Sequence, residues 1–132
     1  MSAGNVELVR RIYDAWAAGE SAAPFIDHDV EYVNPPDAVE TGTLRGRKSF
    51  ARIRDVYDEV SVEPERYIDT AGDDVVVLAR IHVKAPASGM ETSFRHGYVW
   101  TVRNGQAVRF RWFNDPQQAL HAAGVASGDD SP

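Results

Sequence analysis

Val75-Val76-Val77-Leu78-Ala79-Arg80-Ile81-His82-Val83-Lys84 is apolar at every one of its first five positions and then alternates, with Ile81 and Val83 apolar and Arg80, His82 and Lys84 polar. A period of two belongs to an extended strand, whose successive side chains point to opposite faces. The unbroken apolar start implies a sheet covered on both faces at that level.

Working outward, Ala85 to Gly89 reads as a turn, and Met90 to Arg103 and Gln106 to Phe113 read as two long strands around Asn104-Gly105. Upstream, Gly72-Asp73-Asp74 turns the chain back from a strand over Ser61 to Thr70, where Pro64 suits a sheet edge. Before that strand the apolar spacing changes to three and four. Phe50, Ile53, Val56, Tyr57 and Val60 mark one helix, and Leu8, Val9, Ile12, Tyr13 and Trp16 mark another between Asn5, as N-cap, and Gly19, as stop.

Between them, Ser21 can cap a short helix through Phe25 and Ile26 that leads into a strand from Val30 to Asn34, ended by Pro35-Pro36. A last short helix, Gln117 to Ala123, follows Asp115 and Pro116 and closes at Gly124. Three N-terminal helices before an antiparallel sheet predict an α+β fold. Those helices cover only one face of the sheet, so the outer face is expected to meet a second copy, giving a homodimer.

The chain has 132 residues, the size of one domain, which is placed at residues 1–126 with a disordered tail at 127–132. Twenty acidic against 14 basic residues give a net charge of −6, which argues against nucleic acid or an anionic membrane as partner. Cysteine is absent, so disulfides and thiolate chemistry are excluded. No apolar stretch approaches the length of a membrane span and the N-terminus lacks the pattern of a signal peptide, so a cytoplasmic protein is expected.

Helices across a curved sheet leave a concave interior suited to a ligand. On the first strand Tyr32 and Asn34 share a face, on the next long strand Arg80 and His82 do, and on the one after it Phe94, His96, Tyr98 and Trp100 do. A hairpin centred on Gly89 would set His82 opposite His96 and Arg80 opposite Tyr98. At the last hairpin the spacing permits two registers: a two-residue turn pairing Gly97 with Trp112, or a turn with a glycine bulge pairing Tyr98 with Trp112.

The helix segment Val9-Arg10-Arg11-Ile12-Tyr13-Asp14-Ala15-Trp16-Ala17-Ala18-Gly19, the segment Gly42-Thr43-Leu44-Arg45-Gly46-Arg47 and the ending Arg109-Phe110-Arg111-Trp112-Phe113-Asn114-Asp115 resemble the SnoaL-like branch of the NTF2-like superfamily. The resemblance covers about Asn5 to Gly124. It implies a cone-shaped fold of three helices on a curved, mostly antiparallel mixed sheet. It leaves function wide, since isomerases, cyclases, hydrolases and non-catalytic binders share that fold.

Against ketosteroid isomerases, Asn34 stands where the basic aspartate would be, with Ile12 and Tyr98 at the oxyanion positions, and an amide cannot abstract a proton. Against limonene epoxide hydrolases, Tyr32-x-Asn34 matches a Tyr-x-Asn at the same strand end and Arg80 matches the arginine of an Arg-x-Asp, but His82 and Trp112 replace the two aspartates. Against polyketide cyclases, Trp112 again replaces an acid. The resemblance implies that Tyr32, Asn34, Arg80, His82 and Trp112 meet in one pocket.

The candidate catalytic set is therefore His82 as base, Arg80 as anion stabiliser, and Asn34 and Tyr32 as the pair that holds a water or substrate oxygen. Tyr13, Trp16, His96, Tyr98, Phe110 and Trp112 are expected to line the pocket. Two histidines without a neighbouring carboxylate are too few for a metal site, and no cofactor is expected. The functional expectation is a cofactor-independent isomerase, cyclase or hydrolase acting on a small apolar molecule, with a binding protein of the same fold as the alternative.

Overall fold

The computed structural model describes residues 2–38, 42–50, 59–85 and 87–125. Its elements in chain order are helix α1 (Ser2–Ala17), a 3-10 turn (Ala23–Phe25), strands β1 (Ile26–Asn34), β2 (Gly42–Arg45), β3 (Glu59–Asp69), β4 (Asp74–Lys84), β5 (Glu91–Arg103) and β6 (Gln106–Phe113), and helix α2 (Pro116–Ala122). This is an α+β fold. The strands form one sheet in the order β2-β1-β6-β5-β4-β3, with β1 and β6 parallel and every other pair antiparallel.

Three N-terminal helices are not matched among the described residues. The first is α1. The second is the single 3-10 turn, where the Ser21 hydroxyl accepts from the Ala23 N–H at 3.1 Å. The third is expected over Phe50, Ile53, Val56, Tyr57 and Val60: its middle, residues 51–58, lies outside the described residues, as does the tail at 127–132, and Val60 stands in strand β3 instead.

Helix α1 begins three residues before the expected cap. Asn5 is inside it, and its side-chain amide donates instead to Gly72 O at 3.3 Å, tying the helix to the β3–β4 turn. The C-terminal end is as expected: Gly19 takes φ +74°, and Glu20 N–H reaches back to Ala15 O at 2.7 Å, which closes the helix in a left-handed cap.

The register of β4 on β5 decides which side chains share a face. Ala79 stands opposite His96 and His82 opposite Ser93. The turn joins Ala85 to Met90 by a backbone hydrogen bond of 2.9 Å, so it is centred between Ala87 and Ser88 rather than on Gly89. That offset of an odd number of residues sends Arg80 and His82 to the face opposite from His96 and Tyr98. The expected pairings of His82 with His96 and of Arg80 with Tyr98 are therefore corrected.

At the last hairpin both registers occur in sequence. Arg103 pairs with Gln106 across the two-residue turn Asn104-Gly105, whose residues take φ +52° and +76°. A bulge between Thr101 and Val102 then shifts the ladder so that Tyr98 faces Trp112 and Trp100 faces Phe110.

The inner face of the sheet is covered by α1. Val9, Ile12 and Tyr13 pack there on Val75, Val77 and Ile81, all buried. Around them rings meet in pairs: Trp100 stacks on Phe50 at 5.5 Å and tilts on Phe110 at 4.6 Å, and its indole N–H donates to the Tyr13 hydroxyl at 2.9 Å.

The outer face holds the second, smaller core. Val76 and Val99 are covered there by Ala119 and Leu120 of α2. The doubly apolar run at Val75 to Ala79 is thus covered on both faces by this chain's own helices. The argument for a second copy on the outer face loses its premise. Gly97 is what lets α2 sit so close: a Cβ at this position would lie 2.5 Å from that of Ala119.

Candidate functional site

Two of the four expected catalytic side chains lie away from the inner face. His82 projects outward, is 45% exposed and pairs with Glu63 at 2.9 Å. Arg80, 34% exposed, lies 3.7 Å from Glu65, which also pairs with Arg95 at 3.2 Å. Glu65 occupies the bulge between Pro64 and Arg66, and the bulge aims it at both arginines. This arrangement is a solvated charge ladder on a sheet face.

Four of the ten expected residues gather at one end of the inner face: Asn34 at the end of β1, His96 and Tyr98 on β5, and Trp112 on β6. Parallel pairing of β1 on β6 and antiparallel pairing of β6 on β5 put these strand positions side by side. Trp112 donates its indole N–H to Asn34 Oδ1 at 2.7 Å, and Asn34 donates its amide to Gly42 O at 3.2 Å. Asn34 therefore joins three strands, and both ends of its amide are engaged.

His96 and Tyr98 are buried together, at 8% and 6% exposure, with Nδ1 of the ring 3.1 Å from the phenol oxygen. Phe94 and Trp112 flank the imidazole at centroid distances of 5.0 and 5.4 Å. Burial holds the His96 imidazole neutral by lowering its pKa to about 4, against a hydrogen bond with the Asn114 side chain that works the other way. Burial, and then the nearby phenol of Tyr32, raise the Tyr98 phenol well above its ordinary value, so it stays protonated.

The other four expected residues lie in the aromatic core beyond this end. Tyr32 meets Phe50 and Phe110, each at 5.2 Å, and Trp16 meets Tyr13 at 5.5 Å and Phe50 at 5.6 Å. Tyr13 stacks on Tyr98 at 6.4 Å and accepts the Trp100 bond, and its own phenol is raised well above the usual range by burial. Phe110 bridges the two regions, 5.1 Å from both Tyr98 and Phe50.

Sequence reasoning passed over Asn114. The signal was the period of two, which continues from Trp112 to the residue just before Asp115, the N-cap whose Oδ1 accepts from Gln117 N–H at 2.9 Å. Among the described residues no three His, Asp or Glu side chains converge in a way that could hold a metal ion, and no helix is long and apolar enough to cross a membrane.

Residues 9–110, more than three quarters of the chain, match the SnoaL-like domain family. The chain belongs to that family. Solved structures similar to this SnoaL-like domain extend the likeness over nearly its whole length. An NTF2-like protein of unknown function from Burkholderia pseudomallei is 25% identical, with 89% of this chain and 95% of that one covered and a TM-score of 0.71. TerC, co-crystallized with polyporic acid, is 24% identical over 91% of this chain and 97% of its own, also at 0.71. A Catenulispora acidiphila protein with a ketosteroid isomerase-like fold, in complex with trimethylamine, is 18% identical over 91% and 94%, at 0.67. The SnoaL-like domain thus has an NTF2-like fold.

Chemically, a neutral imidazole offers one lone-pair nitrogen and one N–H, and a protonated phenol adds a further donor. A pair joined by one hydrogen bond can take a proton at one atom and deliver one at another. Among the described inner-face residues around His96, namely Asn34, Phe94, Tyr98, Trp112 and Asn114, none carries a charge.

Proposed function

We propose that this SnoaL-like domain takes a small, uncharged, largely apolar molecule at the His96 end of its inner face and transforms it by acid–base chemistry without a cofactor. His96 accepts the proton, and the Tyr98 hydroxyl donates to an oxygen of the substrate. Isomerisation, cyclisation and hydrolysis all draw on that pair of roles.

The observation that carries this reading is the buried His96–Tyr98 contact of 3.1 Å inside an aromatic wall. Burial leaves the His96 imidazole unprotonated at neutral pH, the state a base requires, while making it a weaker base than an exposed imidazole. Uncharged walls favour an uncharged ligand, because a buried charge without a partner is costly.

A second reading, ligand binding without turnover, draws on Asn34. Its amide is spent on Trp112 and Gly42, and no carboxylate stands among the described residues beside His96 to assist the base. One experiment separates the two: a panel of small ketones, lactones and epoxides is assayed with wild type and His96→Gln while binding is followed by calorimetry. The enzymatic reading expects turnover in wild type and a loss of about 10²-fold or more in the variant. Binding with no turnover in either protein establishes the second reading.

A further inference from the structure

A cleft of about 600 Å³ opens between α2 and the turn that follows β1, and Pro35 and Phe113, each one residue beyond the Asn34–Trp112 bond, both line it. Volumes of that order hold small molecules. The apolar part of the lining comes from three elements: Pro35 and Pro36 from the turn, Phe113 from β6 and Ala122 from α2. Both sides are held in place. Proline rings fix φ, and the turn is closed by a hydrogen bond of 3.1 Å from Ala38 N–H to Pro35 O. Helix α2 is capped by Asp115 and seated on β5 where Ala119 meets Gly97. A cleft between two fixed walls binds without first ordering its lining.

Asp37 supplies the charge. It is exposed at the cleft, no lysine or arginine stands among the described lining residues, and Gln118 and His121 add hydrogen-bonding groups. The chain's net charge of −6 has the same sign. An anion is therefore repelled from the cleft and a cation attracted to it.

We propose that this cleft is a ligand site separate from the His96 end and that it takes a small aromatic amine. The planar ring lies against Pro35, Pro36 and Phe113, and the ammonium group pairs with Asp37. Neither contact involves His96, so the site is independent of any reaction there.

Three probes that share one ring system and differ in charge test it: tryptamine, its alcohol analogue tryptophol and the acid indole-3-propionate. Each is titrated into ¹⁵N-labelled wild type, Asp37→Asn and Ala122→Leu, with backbone amide shifts as the readout. Ala122 is exposed on α2, so a leucine there fills the cleft and remains a good helix former. Thermal melts check folding, and Asp37→Asn tests the charge even if Ala122→Leu does not fold. The expected result is saturable shifts at Asp37, Phe113, His121 and Ala122, with tryptamine the tightest probe and indole-3-propionate the weakest. Asp37→Asn is expected to weaken tryptamine about three- to fivefold, as for an exposed ion pair, and to leave tryptophol unchanged. Ala122→Leu is expected to weaken tryptamine and tryptophol alike, by about tenfold or more, through steric exclusion.

No saturable shift at these amides up to about 10 mM tryptamine, enough to fill a site of millimolar Kd, overturns the site. Equal or reversed affinities among the probes, or tryptamine binding unchanged in Asp37→Asn, overturn the amine. Saturable shifts confined to Phe94, His96 and Trp112 overturn the cleft and support the His96 end as the ligand site instead.

Discussion

Nδ1 of His96 lies 3.1 Å from the hydroxyl of Tyr98, and the two side chains are almost fully withdrawn from water. The folded state keeps this imidazole neutral down to about pH 4, whereas an exposed one takes up its proton near 6.5. Between those values the unfolded chain binds the extra proton, so stability present above pH 6.5 is lost as the pH falls toward 4 and then levels off. The expected loss from this one group is roughly 2 kcal/mol by pH 4.5. Urea unfolding at pH 7 and 4.5 measures it: the difference should shrink in His96→Gln, and an unchanged difference would refute the assignment.

Gly97 sits between these two residues with its hydrogen side turned to α2. A methyl group added there meets Ala119 Cβ at 2.5 Å and Pro116 Cα at 3.0 Å. Gly97→Ala should therefore lower stability by about 1–3 kcal/mol through overpacking. Adding Ala119→Gly should recover part of that loss, since the closest contact is removed while the Pro116 backbone remains. Additive effects of the two substitutions in thermal or urea unfolding would show that the helix does not press on the strand as described.

Tyr13 and Trp100 form a second buried polar contact, 2.9 Å from indole nitrogen to phenol oxygen. Tyr13→Phe removes the acceptor and leaves the indole N–H buried and unpaired, at a cost of about 1–3 kcal/mol. Chemical denaturation of the variant checks this. A change below about 0.5 kcal/mol would mean that the indole finds another acceptor.

The strands were legible because their apolar periods are long. β6 begins and ends where the spacing places it, and β4 differs by one residue. Which face each strand turns inward was less legible, because it depends on a turn whose residues do not fix its centre. Ala85 to Gly89 accommodates a turn centred on either side of Ser88, and a shift of that kind reverses the face of every side chain beyond it. His82 and Arg80 therefore read from sequence as neighbours of His96 and Tyr98, and the resemblance to epoxide hydrolases drew them the same way. The aromatic residues suffered no such error, since Tyr13, Trp100 and Phe110 are inward on any register that buries the larger rings. Asn114 escaped notice because it stands beside Asp115, whose capping role explains the local sequence without it.

The outer-face position of His82 supplies the control for the central claim. Its pair with Glu63 is solvent-exposed on both sides, and loss of that pair should alter stability by no more than about 1 kcal/mol.

The most direct measurement is a parallel assay of wild type, His96→Gln and His82→Ala against the same panel of small ketones, lactones and epoxides, with folding confirmed by thermal melts. The account predicts that His82→Ala retains wild-type turnover and that His96→Gln loses about 10²-fold or more. Loss in His82→Ala with wild-type rates in His96→Gln would contradict it, and would place the chemistry on the outer face of the sheet.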